Sequence, residues 1–148
     1  MTSTDEARPE VLYTARVAVT GGRGGSAKSE TGSLQVELAR PAERGTEDAG
    51  TDPEELFAAG FAACFDSALG VAARREKIRV GTTSTTASVS LTSTPEGRFA
   101  LTVSLDVHAP DCPQSDLERA IEVAETLCPY ANAVRGNVPL AVQARGQQ

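Results

Sequence analysis

Two cysteines stand where this chain could do thiol chemistry. Cys64 lies near the middle of the longest apolar helical pattern, and Cys128 closes a second helical pattern in the string CPYANA. A thiol among Phe and Ala is usually inert packing, whereas a thiol with a resolving partner, a cation and a carboxylate can reduce peroxides. Phe57, Phe61 and Phe65 recur at intervals of four, and Cys64 follows Phe61 by three residues and Phe57 by seven. That spacing puts the thiol on a helix face with three of the four Phe residues. On spacing alone the stripe reads as core, with Cys64 as a small hydrophobe in it. Read functionally, the same stripe is an apolar wall that admits a greasy substrate to the sulfur.

A nucleophilic cysteine must be a thiolate, and an apolar wall pushes its pKa the wrong way, so a cation has to offset the desolvation. Arg23 is a candidate: it stays charged, donates several hydrogen bonds, and sits in the glycine-rich turn TGGRGGS. Alone, the same residue reads as a solvated Arg on a hairpin tip. The turn lacks the Lys-Ser/Thr ending of a phosphate-binding loop. A carboxylate would orient the guanidinium. Glu55 falls where a capping box would occupy it, which leaves Glu54. Glu54 precedes Cys64 by ten residues, about 15 Å along a continuous helix. One Arg head group does not bridge that span easily within one subunit, so a site made of Arg23, Glu54 and Cys64 points to an intertwined homodimer.

Cys128 also has a packing reading, being on the apolar face of its own helix, but it stands at the helix end before Pro129, where the chain can move. Cys112 follows Ala109-Pro110-Asp111 and is a weaker candidate. His108, Cys112 and Cys128 lack a fourth ligand and any CxxC knuckle, so no metal site is expected. His108, the only histidine, lies in a strand pattern remote from Cys64, and a Cys-His hydrolase has little support.

The elements that must position these residues follow from periodicity. The 148 residues suit one domain, 11–148, behind a polar N-terminal tail, 1–10. A net charge of −6 argues against nucleic acid or an anionic membrane as partner. The tail lacks the charged-then-apolar order of a signal peptide, and the best candidate span, Leu56 to Ala73, is Ala- and Gly-rich and contains Asp66, so no membrane crossing is expected. The expected address is the cytoplasm, where three cysteines are not a secreted disulfide framework.

Val11, Tyr13, Ala15, Val17 and Val19 alternate as in a half-buried strand, and Leu34, Val36 and Leu38 resume the period after the Gly-rich turn. Arg40 to Gly50 reads as a surface loop. Asp52, Pro53 and Glu55 signal a helix start, and the helical pattern runs to about Lys77, apolar enough on every side to be buried all round. Two alternating strands follow, carrying Ala87 to Leu91 and Phe99 to Val107, joined through Pro95-Glu96-Gly97-Arg98. A capping box at Ser115 and Glu118 starts a helix whose face carries Leu117, Ile121, Ala124 and Cys128, and Pro129 ends it. Val138, Leu140 and Val142 mark a last strand. The order predicts an α+β domain on antiparallel sheet.

TGGRGG, DPEELFAAGFAACF and LCPYANAVRGNVPL, in that order, resemble the organic hydroperoxide resistance proteins of the OsmC-like superfamily, from about Val11 to Val142. The resemblance implies an OsmC-like fold, with curved sheets around two central helices in an intertwined homodimer and two active sites at its interface. It implies a thiol-dependent peroxidase acting on alkyl and fatty-acid hydroperoxides, with no bound cofactor and with an external dithiol, dihydrolipoamide or a lipoylated protein, as reductant. By position, Cys64 would be the peroxidatic cysteine and Cys128 the resolving one, with Arg23 stabilising the thiolate and Glu54 holding Arg23. The Phe57, Phe61 and Phe65 stripe would contact the substrate. Ala131 and Val134 stand where the family commonly has Ser and Thr, and Cys112 receives no role. Two other classes stay open at this level: a redox-sensing stress protein without efficient turnover, and a carrier of small apolar ligands.

Overall fold

The chain divides after Asp52 into two units, residues 1–52 and 53–148. The structure, a computed structural model, describes residues 8–43 and 50–148. Most of the N-terminal tail and the centre of the loop after Arg40 therefore lie outside the described residues.

In the first unit, β1 (Val17–Thr20), β2 (Ser26–Ser29) and β3 (Gln35–Glu37) form an antiparallel sheet in sequence order. The Gly-rich stretch closes the β1–β2 hairpin, with Gly21 left-handed at φ 81° ahead of a short 3-10 turn, Gly22–Gly24, that carries Arg23. Two expectations fail here. The alternating segment from Val11 becomes a strand only at Val17, and Val11, Leu12 and Tyr13 are about four-fifths exposed. Val17 and Val19 are exposed as well, although they belong to β1. Alternation calls for a surface to pack on, and the described part of this unit buries little beyond Ala27 and Leu38. In contrast, β2 was not legible, because Ser-Ala-Lys-Ser has one apolar residue. Backbone pairing holds it, with Ala27 opposite both Val19 and Val36.

The second unit is built around α1 (Pro53–Arg75), which starts at the residue after Asp52, as its start signal predicts. Ile78 N–H reaches back to the Ala73 carbonyl at 2.8 Å while Lys77 turns left-handed at φ 56°, and this closes the helix two residues before the expected end. By length and composition α1 is apolar enough to cross a membrane, contrary to the sequence reading. In this fold it packs on β4 and α2, defined below, and gives Phe61, Phe65, Leu69 and Ala72 to the core. Each large side chain buried this way contributes about 1.5–3 kcal/mol. The helix is not buried all round: Ala59, Ala63 and Ser67 form an exposed stripe. Small side chains cover little surface, so an apolar composition did not guarantee a covered face. Asp66 accepts hydrogen bonds from Thr85 Oγ1 at 3.0 Å and Thr83 Oγ1 at 3.1 Å, which ties α1 to the adjoining strand.

The second sheet has the order β4 (Ser84–Ser93), β5 (Phe99–Pro113), β6 (Leu140–Gln147). β4 and β5 form the expected hairpin, and its turn is closed by Thr94 N–H on the Arg98 carbonyl at 2.7 Å. β6 runs parallel to β5, so this sheet is mixed rather than antiparallel. The cause is the connection, because α2 (Gln114–Leu127) and α3 (Pro129–Val134) carry the chain back to the starting end of the sheet. The capping box at Ser115 does not form. Helix α2 begins a residue earlier, after Pro113, and Gln114 takes Glu118 Oε1 for itself at 2.8 Å. Gln114 also binds the Ala144 carbonyl and the Gly146 N–H of β6, so tertiary pairing sets this helix start.

Candidate active site

Cys64 projects from the middle of α1, and Cys128 occupies the single residue between α2 and α3. Pro129 disfavours helical geometry in the residue before it, and Cys128 accordingly takes φ −69°, ψ 119°. That extended residue ends α2 and caps α3, and its Sγ accepts the Ala131 N–H at 3.5 Å. The same turn directs Cys128 Sγ at Cys64 Sγ, 3.6 Å away, with both thiols free. A disulfide needs about 2.05 Å, so closing it takes a small approach without unfolding either helix.

The two thiols differ in environment. Cys64 is half-buried, whereas Cys128 has no exposed surface. Burial pushes the Cys128 thiol up from the usual cysteine range, the Ala131 N–H opposes the rise, and the neighbouring Cys64 adds to it. Cys128 therefore remains a protonated donor toward Cys64 at neutral pH. Cys112 is wholly buried and donates to the Pro113 carbonyl, and burial together with Asp116 raises its pKa. It lies outside the pair. Among the described residues no group of three or more His, Cys, Asp or Glu side chains is gathered as metal ligands would be.

Cys64 opens on a cleft of about 330 Å³, lined by Ser67, Ala68, Val71 and Arg75 of α1 and by Leu127 and Pro129. This wall differs from the expected one. Phe61 and Phe65 have no exposed surface and belong to the core, while Phe57 is half-buried. The interval of four turned Phe61 and Phe65 inward because α1 buries that side against the sheet and α2. Arg23 lies in the first unit, in its hairpin turn, and Glu54 lies in the first turn of α1.

Tyr130, to which the sequence reading gave no role, packs on α1 two residues after Cys128. Its ring meets Phe61 edge-on at 5.6 Å and Phe57 at 6.1 Å. It lies over Gly60 so closely that a Cβ there would stand 2.7 Å from the Tyr130 hydroxyl oxygen and 3.1 Å from two ring carbons. An isolated glycine inside a strong helical pattern was the available signal. Gly60→Ala is expected to displace Tyr130 and with it the Cys128 turn. Higher helix propensity offsets part of the strain by about 1 kcal/mol, so the fold survives while disulfide closure slows. Stopped-flow oxidation of the variant, followed by mass of the quenched protein, checks this; an unchanged closure rate would show that Tyr130 does not hold the pair.

The family model described as OsmC-like protein matches residues 45–143 and so runs across the boundary between the two units. An organic hydroperoxide resistance protein of Xanthomonas axonopodis pv. citri is 40% identical over 92% of this chain and 97% of its own. The crystal structure of an organic hydroperoxide resistance protein from Legionella pneumophila aligns with TM-score 0.84 and 42% identity, covering 91% of this chain and 98% of that one. The OhrB structure of Bacillus subtilis aligns with TM-score 0.85 and 34% identity, covering 91% and 100%. With the fold in agreement and near-complete coverage at 40% identity, the chain belongs to the organic hydroperoxide resistance proteins of the OsmC-like family.

Proposed function

We propose that this protein is a thiol-dependent peroxidase that reduces organic hydroperoxides to alcohols. The observation that carries the reading is the Cys64–Cys128 pair, 3.6 Å apart and unbridged, with only Cys64 open to an apolar cleft. The names of the similar proteins support the substrate class. In the first step the Cys64 thiolate attacks the distal oxygen of ROOH. The O–O bond breaks, the alkoxide takes a proton and leaves as ROH, and Cys64 becomes a sulfenic acid. In the second step Cys128 sulfur attacks that sulfenic sulfur, the S–S bond forms, and hydroxide leaves with the Cys128 proton as water. A protonated, buried Cys128 suits this order, because it does not compete for the peroxide. An external dithiol, dihydrolipoamide or a lipoylated protein, then returns both thiols by exchange and becomes a disulfide itself. Its approach is to Cys64, the sulfur with open surface. This chemistry fits a reducing cytoplasm.

Arg23 and Glu54 enter this reading through the family resemblance and the chemistry of their head groups: Arg23 stabilises the thiolate and the departing alkoxide, and Glu54 orients Arg23. An intertwined homodimer belongs to the same reading. The exposed apolar residues Val11, Leu12, Tyr13, Val17 and Val19, and the uncovered Ala59-Ala63-Ser67 stripe, support it, since large uncovered apolar surface calls for a partner.

Steady-state consumption of cumene hydroperoxide with dihydrolipoamide tests the function. The expected result is many turnovers per protein. A single turnover would identify a redox sensor, and binding without consumption would identify an apolar-ligand carrier; either result overturns the peroxidase reading.

A further inference from the structure

The cleft at Cys64 is mostly apolar, with Ser67 on its lining beside Ala68, and cationic at one end. Cys64, Ala68, Val71 and Arg75 follow the i, i+4, i+7, i+11 ladder of one helix face. Eleven residues bring the helix back to within about 20° of the starting direction, about 16 Å further along its axis. Side chains on a helix lean toward its N-terminus, so Arg75 leans back along the cleft toward the thiol. Leu127 and Pro129 supply the opposite wall beside the thiol pair. Arg75 is exposed and, among the described residues, has no carboxylate partner, while its neighbour Glu76 faces Arg119 at 3.9 Å. Among the described residues it is the only charged group lining the cleft.

We propose that Arg75 is a specificity residue: it anchors the carboxylate of the fatty-acid hydroperoxides that the family resemblance implies, at the far end of the cleft from Cys64. This proposal rests on the peroxidase reading and adds a specificity residue to it. The aliphatic chain lies along Ala68 and Val71 against Leu127, the hydroperoxide reaches Cys64, and the guanidinium donates to the distant carboxylate. Such a charge-assisted contact acts on binding and leaves the peroxide bond chemistry to the thiols, so its signature is in KM rather than in kcat. Arg75 is thus a positioning residue for the substrate.

The test compares three substrates below their aggregation concentrations: a long-chain fatty-acid hydroperoxide, its methyl ester, and cumene hydroperoxide. Each is assayed with the wild-type protein, Arg75→Ala and Arg75→Lys, using dihydrolipoamide. The Ala variant should raise KM for the free acid about tenfold, the scale of one charge-assisted hydrogen bond. Its kcat, and both constants for the ester and for cumene hydroperoxide, should stay at wild-type values, and the Lys variant should restore most of the acid KM. Equal effects on acid and ester, or no effect on either, would overturn the proposal. Loss of cumene hydroperoxide turnover in the wild-type protein would instead count against the peroxidase reading itself, so the two failures are distinguishable.

Discussion

Cys64→Ser is expected to abolish consumption of cumene hydroperoxide, lowering kcat/KM by more than about a thousandfold. The substitution replaces sulfur by a smaller oxygen at a half-buried site, so folding should be retained. What disappears is the nucleophile: a serine hydroxyl stays protonated at neutral pH and is a far weaker nucleophile than a thiolate. Cys128 donates toward position 64 and cannot take its place, being wholly buried with a raised pKa. Cys112 is likewise buried with a raised pKa, and it lies outside the pair. Residual activity in the purified Ser variant at the wild-type rate would remove Cys64 from the reaction altogether. Circular dichroism and a thermal melt alongside the assay separate a lost nucleophile from a lost fold.

Cys128→Ser should separate the two halves of the cycle. In wild-type protein treated with a small excess of hydroperoxide and no reductant, oxidation stops at the disulfide, with a mass two hydrogens lower. In the Ser variant Cys64 still reacts once, but its sulfenic acid finds no thiol 3.6 Å away. Further peroxide then carries it to the sulfinic and sulfonic acids, read as successive additions of oxygen mass. Multiple turnover with dihydrolipoamide should fall by at least about tenfold, because an external thiol must replace a partner whose effective concentration was set by the fold. A variant that survives excess peroxide without added oxygen would mean that Cys128 is packing only. The pH response follows from the same burial. The folded-state pKa of Cys128 is raised, so its protonated form persists above the usual cysteine range. The stability linked to that proton is full at neutral pH and fades only as pH rises through the raised value.

Much of the second unit was legible from periodicity. The α1 helix, the paired strands β4 and β5, and the buried Leu117-Ile121-Ala124 face of α2 form where their periods put them, although α1 keeps an open stripe and Leu91 and Phe99 on the strands are exposed. Shorter or tertiary-controlled features were not. β2 has one apolar residue and exists through its backbone partners. α3 spans six residues, too few for a periodic signal, and the parallel direction of β6 follows from how the helices cross. In the first unit the alternation from Val11 outran the described sheet, because apolar residues report only that a surface is needed and not which surface supplies it.

The site divides in the same way. By itself the chain determined that two thiols stand at specifiable points of two helical patterns and that Pro129 ends the second of them. These are local consequences of bond geometry and helical repeat. Only the tertiary structure decided that residues 64 positions apart come within 3.6 Å, that Phe61 and Phe65 turn to the core, and that Leu127 and Pro129 line the thiol's cleft. Those outcomes depend on how α1 settles against α2, α3 and the sheet, and close packing of side chains distant in sequence selects that arrangement. Tyr130 over Gly60 is the clearest case: the missing Cβ makes room for a ring that packs on α1 two residues after the second thiol.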